Sequence, residues 1–205
     1  MKLPFGFDFR HEKDPVGPLK IPHTEPGAVE TLARHLSGIY ATLEPERPLV
    51  IVCIGTDRST GDALGPLVGT HLRRYHLSGY HLYGTLDNPV HAMNLTETVN
   101  EIETQFQHPF IIAIDACLGQ LSSIGCIQVA SGPLKPGAGV NKDLPSIGDM
   151  HVTGIVNVGG FMEYFVLQNT RLSLVMNMAE MISRSLFISL LQSQRFAATT
   201  IAKSE

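Results

Sequence analysis

The hydrophobic positions of this chain form short continuous runs, separated by longer segments in which they recur with helical spacing. The clearest run is 49–54, which is rich in β-branched residues and ends abruptly in a polar loop, and a helical segment follows at about 63–75. A short apolar run bounded by turn residues predicts a buried strand. The same pattern predicts further strands at 80–85, 110–116, 124–130, 150–156 and 171–175, and helices at 28–43, 95–106, 160–167 and 177–192.

This alternation of strands and helices predicts a three-layer α/β/α sandwich whose sheet is mostly parallel. The strand at 124–130 follows the preceding strand too closely for a helical crossover, which favours an antiparallel edge or return strand. We expect one α/β/α domain over 25–195. An N-terminal arm over 1–24, rich in proline, glycine and charge, precedes it, and a C-terminal tail over 196–205 follows it.

Composition limits the setting and the partners. The chain is 43% hydrophobic and 17% charged with a net charge of −4, so it lacks the basic surface typical of nucleic-acid binding. No segment resembles a secretory signal, and none approaches the apolar length of a membrane span. Three cysteines (Cys53, Cys117 and Cys126) lie in apolar runs without a CxxC pair, which is typical of reduced thiols inside a cell. We therefore predict a cytoplasmic protein that binds neither nucleic acid nor membrane.

The glycine-rich loop after the first long strand does not fit a phosphate-binding motif. Five residues separate Gly55 from Gly61 and no lysine follows, which departs from the GxxxxGK[ST] pattern. The chain also has no GxSxG, no HExxH and no zinc-type spacing of cysteine and histidine. The sequence thus argues against P-loop nucleotide hydrolases, α/β-hydrolases with a serine nucleophile, and zinc proteases of the HExxH type.

Two aspartates are the main candidates for chemistry. Asp62 starts the helix after the first long strand, and Asp115 lies at the end of the strand at 110–116. Because parallel strands end at the same edge of a sheet, the two carboxyl groups can converge there. Such a pair either shares a proton and works as acid and base, or holds a divalent metal. Taken singly, Asp62 also fits a helix N-cap, and Asp115 fits a strand-end residue bonded to nearby backbone amides.

The segments around these aspartates resemble the bacterial spore germination protease family. Three segments match in order and spacing, namely 55–66 (GTDRSTGDALGP), 112–116 (IAIDA) and 136–142 (PGAGVNK). The resemblance extends over 49–158, roughly half of the chain. In length and overall pattern the chain resembles most the sporulation protein YyaC family, a relative of that protease. The wider superfamily includes the hydrogenase-maturation endopeptidases.

This resemblance implies a phosphorylase/hydrolase-like fold, in which Asp62 and Asp115 match the two aspartates that the germination protease needs for proteolysis. It also implies a departure at Ala63, where the hydrogenase-maturation enzymes have a glutamate, so that a metal site of their type lacks one ligand. The sequence favours a sporulation-associated endopeptidase that acts on protein or peptide substrates in the cytoplasm of the forespore or mother cell. The alternative is a catalytically silent binding or regulatory protein of spore formation on the same fold.

Other residues are candidate substrate-binding or supporting groups. Asp57 lies in the same loop as Asp62, while Asn141 and Lys142 belong to a long segment, 132–148, that is rich in glycine and proline. Long loops inside compact domains are usually functional, so we expect this one to shape a substrate groove. The sequence does not set the oligomeric state, which leaves a homo-oligomer open.

A third site group could come from His151, which follows the long loop. If a divalent metal binds, Asp62, Asp115 and His151 are its candidate ligands, whereas a strand histidine bonded to backbone is the plainer interpretation. His91 is a weaker candidate in another strand–helix loop. Cys117 shares a strand face with Asp115, but no partner histidine is evident from the sequence, so a buried inert thiol is favoured over a nucleophile.

Overall fold

The computed structural model describes residues 16–136 and 144–193. Its strands are β1 (Leu19–Pro22), β2 (Leu49–Cys53), β3 (His81–Tyr83), β4 (Phe110–Gly119), β5 (Cys126–Ser131) and β6 (Met150–Val158). Its α-helices are α1 (Ala28–Tyr40), α2 (Leu64–Arg73), α3 (Leu95–Gln105), α4 (Glu163–Gln168) and α5 (Leu172–Gln192). A 3₁₀ turn, Gly61–Ala63, immediately precedes α2.

The strands form one mixed sheet in the order β1-β5-β6-β4-β2-β3. Strands β3, β2, β4 and β6 are parallel to one another, whereas β5 is antiparallel to both β6 and β1. The predicted α/β/α architecture with a mostly parallel sheet is therefore confirmed. Strand β5 is the antiparallel return strand that the short connection predicted, and β1 takes the edge beside it.

Side-chain alternation along the central strands divides the interior into two cores. On β2, Leu49 and Ile51 enter the larger core with α1, α2 and α5, whereas Val50 and Val52 enter a smaller core with α3. Because successive side chains of a strand point to opposite faces, a strand buried on both sides reads as an unbroken apolar run. The helices therefore cover both faces of the sheet, with the greater share on one face.

Helix α2 approaches the sheet so closely that backbone meets backbone. A Cβ atom added to Gly65 would lie 2.1 Å from the carbonyl oxygen of Ile54, and one added to Gly69 would lie 1.9 Å from that of Gly84. Since real Cβ atoms do not come this near, only glycine permits the approach. The contact holds the start of α2, and with it the 3₁₀ turn, against the end of β2.

The predicted short strand at 171–175 is wrong, because this segment begins α5. Its alternating leucines suggested a strand, but Val175 continues a helical series that includes Met178, Ile182 and Leu186, all buried in the larger core. Packing of this series against α1 and α2 outweighs the local pattern. The sequence pattern also missed β1, which falls within the segment predicted as an arm and pairs with β5.

Among the described residues one helix, α5, is long and apolar enough to cross a membrane by length and composition. Its apolar window has a mean hydropathy of 1.4, and 56% of that window is buried inside the fold. Burial of this kind is typical of the central helix of a folded domain.

Candidate active-site cleft

A cleft of about 470 Å³ opens at the carboxyl ends of β2 and β4. The loop after β2, the end of β4 and helix α4 form three of its walls, and residues 91–93, 134–136 and Leu144 complete it. Crevices beyond the strand ends of an open α/β sheet are the usual ligand sites of such folds. Both Asp62 and Asp115 line this cleft.

Asp62 is held by the folding of the loop 55–62 back upon itself. The backbone N–H of Thr56 donates a hydrogen bond of 3.1 Å to the carbonyl oxygen of Asp62. Gly55, at φ +141°, makes this possible, because a Cβ atom there would lie 1.9 Å from the same oxygen. The loop therefore fixes the backbone of Asp62 through a position that only glycine fills.

Asp115 reaches the cleft through the alternation of β4. Its neighbours Ile112 and Ile114 belong to the larger core, so Asp115 points to the opposite face, the face on which Ala113 joins the smaller core. The side chain is partly exposed, and its Oδ1 accepts a 2.7 Å hydrogen bond from the N–H of Ala116. In the register with β6 it lies opposite Thr153.

The pKa values of the two carboxyl groups are both raised, and the charge of Asp62 contributes to the shift of Asp115. Burial raises the pKa of Asp115 well above its ordinary value, the Ala116 N–H partly offsets this shift, and the negative charge of Asp62 adds to it. Burial also raises the pKa of Asp62, against which the nearby Ser59 hydroxyl acts. Close carboxyl groups resist double ionisation. Asp115 is therefore the member that keeps its proton to higher pH, while Asp62 ionises first.

The other predicted site residues are placed differently. Asp57 is exposed and lies outside the lining of the cleft. The Nδ1 atom of His151 lies 2.9 Å from the carbonyl oxygen of Gly132 in a hydrogen bond, and His151 does not line the cleft either. Asn141 and Lys142 lie outside the described residues. The structure thus brings together Asp62 and Asp115, and leaves Asp57 and His151 apart from them.

Several lining residues were not singled out by the sequence. The cleft is also lined by two exposed cations, Arg58 and Lys135. Helix α4 contributes Tyr164 and Leu167 to the wall of the cleft. His91, a weak candidate from sequence, does line the cleft. The one available signal for the α4 wall was the run of large apolar residues directly after two glycines, at 161–165.

Cys117 also lines the cleft, on the same face of β4 as Asp115. Burial raises the pKa of its thiol, a bond with the Thr153 side chain lowers it, and the charge of Asp115 raises it again. Since the thiolate is the nucleophilic form, a raised pKa makes this thiol unreactive near neutral pH. Cys117 therefore contributes a small side chain to the wall of the cleft.

The residues of the cleft do not fit a metal centre with three protein ligands. Within 16–136 and 144–193, no three side chains of histidine, cysteine, aspartate or glutamate lie close enough together to hold a metal ion. Ala63 follows Asp62, so the next position adds no ligand. Of the carboxyl groups that line the cleft, those of Asp62 and Asp115 have raised pKa values and are the candidates for its chemistry.

Comparisons with known proteins agree with this architecture. The model of a family described as "Protein of unknown function (DUF1256)" matches residues 20–185. The chain is 54% identical over 169 residues to the "Uncharacterized protein YyaC" of Bacillus subtilis (strain 168), which covers 82% of each chain. This relative confirms the predicted resemblance to the YyaC family.

A solved structure shares the fold. It is a [NiFe] hydrogenase maturation protease, HycI from Thermococcus kodakarensis KOD1, with a TM-score of 0.51 and 17% identity over 76% of this chain and 99% of that one. The match agrees with the expected resemblance to hydrogenase-maturation enzymes at the level of the fold. The central sheet and its flanking helices therefore share the α/β fold of that solved structure.

Proposed function

The chain belongs to the DUF1256 family, and we propose that it is a sporulation-associated endopeptidase of the germination-protease type. In this proposal Asp62 and Asp115 hydrolyse a peptide bond of a protein substrate. The observation that carries the proposal is the presence of both carboxyl groups in one cleft, with the pKa of each raised. Paired carboxyl groups with separated ionisation are a general way to provide an acid and a base at the same pH.

The proposed mechanism assigns one role to each carboxyl group. Asp62, which ionises first, accepts a proton from water as the water oxygen bonds to the peptide carbonyl carbon. Asp115, which keeps its proton, donates it toward the carbonyl oxygen and so limits the negative charge that develops there. When the tetrahedral intermediate collapses, the carbon–nitrogen bond breaks and Asp62 returns its proton to the leaving amine. Asp115 takes back the proton from the hydroxyl group as the carbonyl re-forms, so both carboxyl groups regain their starting states.

The shape of the cleft supports a peptide substrate. Leu134, Leu144, Tyr164 and Leu167 give it apolar walls, while its floor carries the carboxyl groups. Small-molecule and peptide sites commonly combine mostly apolar walls with a few placed polar groups. Leu134 and Leu144 belong to the segment 132–148 that was expected to shape a substrate groove. The protease fold of the structural neighbour adds support at the level of architecture.

The setting of this activity is also part of the proposal. The resemblance of residues 49–158 to spore proteins supports action in the cytoplasm of the forespore or mother cell. Small acid-soluble spore proteins are the natural substrates to try first, because the germination protease, to which the motifs are similar, acts on them.

The test replaces each carboxyl group in turn and assays cleavage of small acid-soluble spore proteins, with and without divalent metal. Asp62→Asn and Asp115→Asn should each lower the rate by about 10²–10⁴-fold, the usual contribution of a positioned acid or base. Asp57→Asn is the matched control, because it removes an exposed carboxyl group outside the cleft and should leave the rate unchanged. Absence of cleavage by the unmodified protein under every condition would contradict the proposal.

A second candidate is a catalytically silent binding or regulatory protein of spore formation. Ala63 favours it, since the hydrogenase-maturation type of site, as implied by the resemblance, has a glutamate there. A stoichiometric partner in a pull-down from sporulating cells, together with normal sporulation of the double asparagine variant, would support this role over the enzyme.

A further inference from the structure

A cluster of large apolar side chains lies exposed beside the cleft. Phe161 is 89% exposed, Met162 60%, Tyr164 58% and Phe165 56%, and these four residues are called the α4 patch below. They fall within five consecutive positions of the chain, at the turn before α4 and in its first residues. Single exposed apolar residues are common on protein surfaces, but a contiguous group of this size marks an interaction site.

The backbone holds the α4 patch outward. Gly160, at φ +138°, turns the chain after β6, and Met162 adopts the left-handed region at φ +57° directly before α4. A left-handed conformation is unfavourable for methionine by roughly 1–2 kcal/mol. In α4 itself Leu167 is buried. The patch therefore follows a turn with two positive φ angles and includes the start of a helix that Leu167 anchors to the fold.

The area of the α4 patch approaches that of a stable interface. A large side chain of this kind presents about 200 Å² when fully exposed, so the four residues together present roughly 500 Å². This area is at the upper end for the largest patch on a monomer, and it is more than half of the about 800 Å² that each partner buries in a standard interface. Leu172 and Met176, one helical turn apart at the start of α5, are also exposed.

The composition of the α4 patch is that of an interface centre. Aromatic residues and methionine are enriched at the centres of protein interfaces, whereas charged residues are depleted there. Glu163 is the charged residue within 161–165; it is half-buried, and its Oε1 accepts a 3.4 Å bond from the Gly160 N–H. The four residues of the patch carry no charge themselves, and the Glu163 carboxylate among them is partly buried against the turn at Gly160.

We propose that the α4 patch is the contact surface of a homodimer, in which the patch of one copy packs on the same patch of a second copy across a two-fold axis. Two-fold dimers are the commonest oligomers, and their self-complementary contacts suit a surface that is apolar throughout. A second copy is also present whenever the chain is, so the patch is covered without waiting for another partner. The inference stands whether or not the proposed peptidase activity does.

Dimerisation through this surface places the second copy beside the cleft. Tyr164 belongs to the α4 patch and also lines the cleft, and Glu163 lines it too. A copy seated on the patch thus extends the wall of the cleft beyond α4. The two clefts of the dimer lie close to the two-fold axis.

The test measures the mass of the full-length protein in solution by sedimentation velocity over about 1–100 µM, so that dissociation constants in the micromolar range can be determined. The unmodified protein should sediment at twice its chain mass of 22.3 kDa at the higher concentrations. The double variant Phe161→Ser/Phe165→Ser should weaken association by about 100-fold or more, because aromatic residues at interface centres carry much of the binding energy.

The matched control is Leu121→Ser, which changes a 77% exposed apolar residue outside the α4 patch and should leave the dimer intact. Circular dichroism and thermal unfolding verify that each variant is folded, as expected for substitutions at exposed positions. The proposal is overturned if the unmodified protein is a monomer at the highest concentration. It is equally overturned if the double variant associates as tightly as the unmodified chain.

Discussion

Two neighbouring residues of β4 show how differently the faces of the central sheet are used. Ile114 is fully buried in the larger core beneath α1, α2 and α5, whereas Asp115 points to the other face at the floor of the cleft. On the face of Ile114, apolar side chains of the larger core pack against the strand and keep water out. The other face keeps a carboxyl group whose pKa is raised by the same burial. A single strand thus supports stability on one side and candidate chemistry on the other.

The largest expected effect separates these two roles. Ile114→Ala should lower the free energy of unfolding by about 2–5 kcal/mol, because it leaves a cavity in a closed core. Asp115→Asn should keep the fold, since the amide oxygen can still accept the Ala116 N–H, and should affect the proposed activity instead. Urea unfolding followed by circular dichroism measures both. If Asp115→Asn lost as much stability as Ile114→Ala, the division between the two faces would be wrong.

A smaller effect should follow from the loop that carries Asp62. Gly55→Ala places a Cβ atom against the Asp62 carbonyl oxygen, so the loop must open, and we expect a loss of about 2 kcal/mol or more in the free energy of unfolding. Gly132→Ala is the control, because Gly132 also has a positive φ (+94°) but no atom within 4 Å of the added Cβ. Both variants place alanine at a positive φ, but only Gly55→Ala also brings a Cβ atom against the Asp62 carbonyl oxygen. The difference between their losses in thermal stability therefore measures the effect of that steric clash. Equal losses in both would show that Gly55 is required for its φ angle alone.

The smallest effect concerns the dependence of stability on pH. Since folding raises the pKa of Asp115, its contribution to stability is fully present below its ordinary value of 3.8 and is lost as the pH rises through the higher folded value. The Asp115→Asn variant has no carboxyl group to ionise at this position, so it does not lose stability in this way. Its free energy of unfolding relative to that of the unmodified chain should therefore rise with pH, by about 1.4 kcal/mol for each unit by which the pKa of Asp115 is shifted. Urea unfolding from about pH 4 to about pH 8 measures the difference.

The control for this series is Asp57→Asn, which removes one negative charge at an exposed position. If the difference in free energy of unfolding between Asp115→Asn and the unmodified chain stayed constant with pH, the raised pKa of Asp115 would be contradicted. Such a result would also remove the physical basis for assigning Asp115 as the proton donor.

Much of the sheet could be predicted because its central strands are buried on both faces. The apolar runs of β2 and β4 stand out, and the short link before β5 excludes a helical crossover. Strand β1 did not stand out, since Ile21 is its one buried residue and its partner lies about a hundred residues further along. The start of α5 was predicted as a strand because its leucines alternate. The packing of this helix against the larger core, which determines its conformation, is not evident from the local sequence.

The candidate site was predictable to the same extent. That Asp62 and Asp115 share a cleft follows from the rule for the ends of parallel strands. The position of His151 did not follow, because its hydrogen bond to Gly132 depends on how the chain after β5 folds beside β6. The α4 wall depends on the left-handed turn at Met162, which no local propensity predicts.

The close approach of α2 to the sheet has a consequence for interpreting mutational tolerance. In the run Asp62–Gly65, the first residue is proposed to act in chemistry, whereas the last is irreplaceable because of the carbonyl of Ile54. A saturation screen for folded protein would reject substitutions at Gly65 and Gly69 while accepting asparagine at Asp62. A screen for activity would reject all three. Comparing the two screens would therefore separate two unrelated constraints, one chemical and one steric, that act within the same short segment.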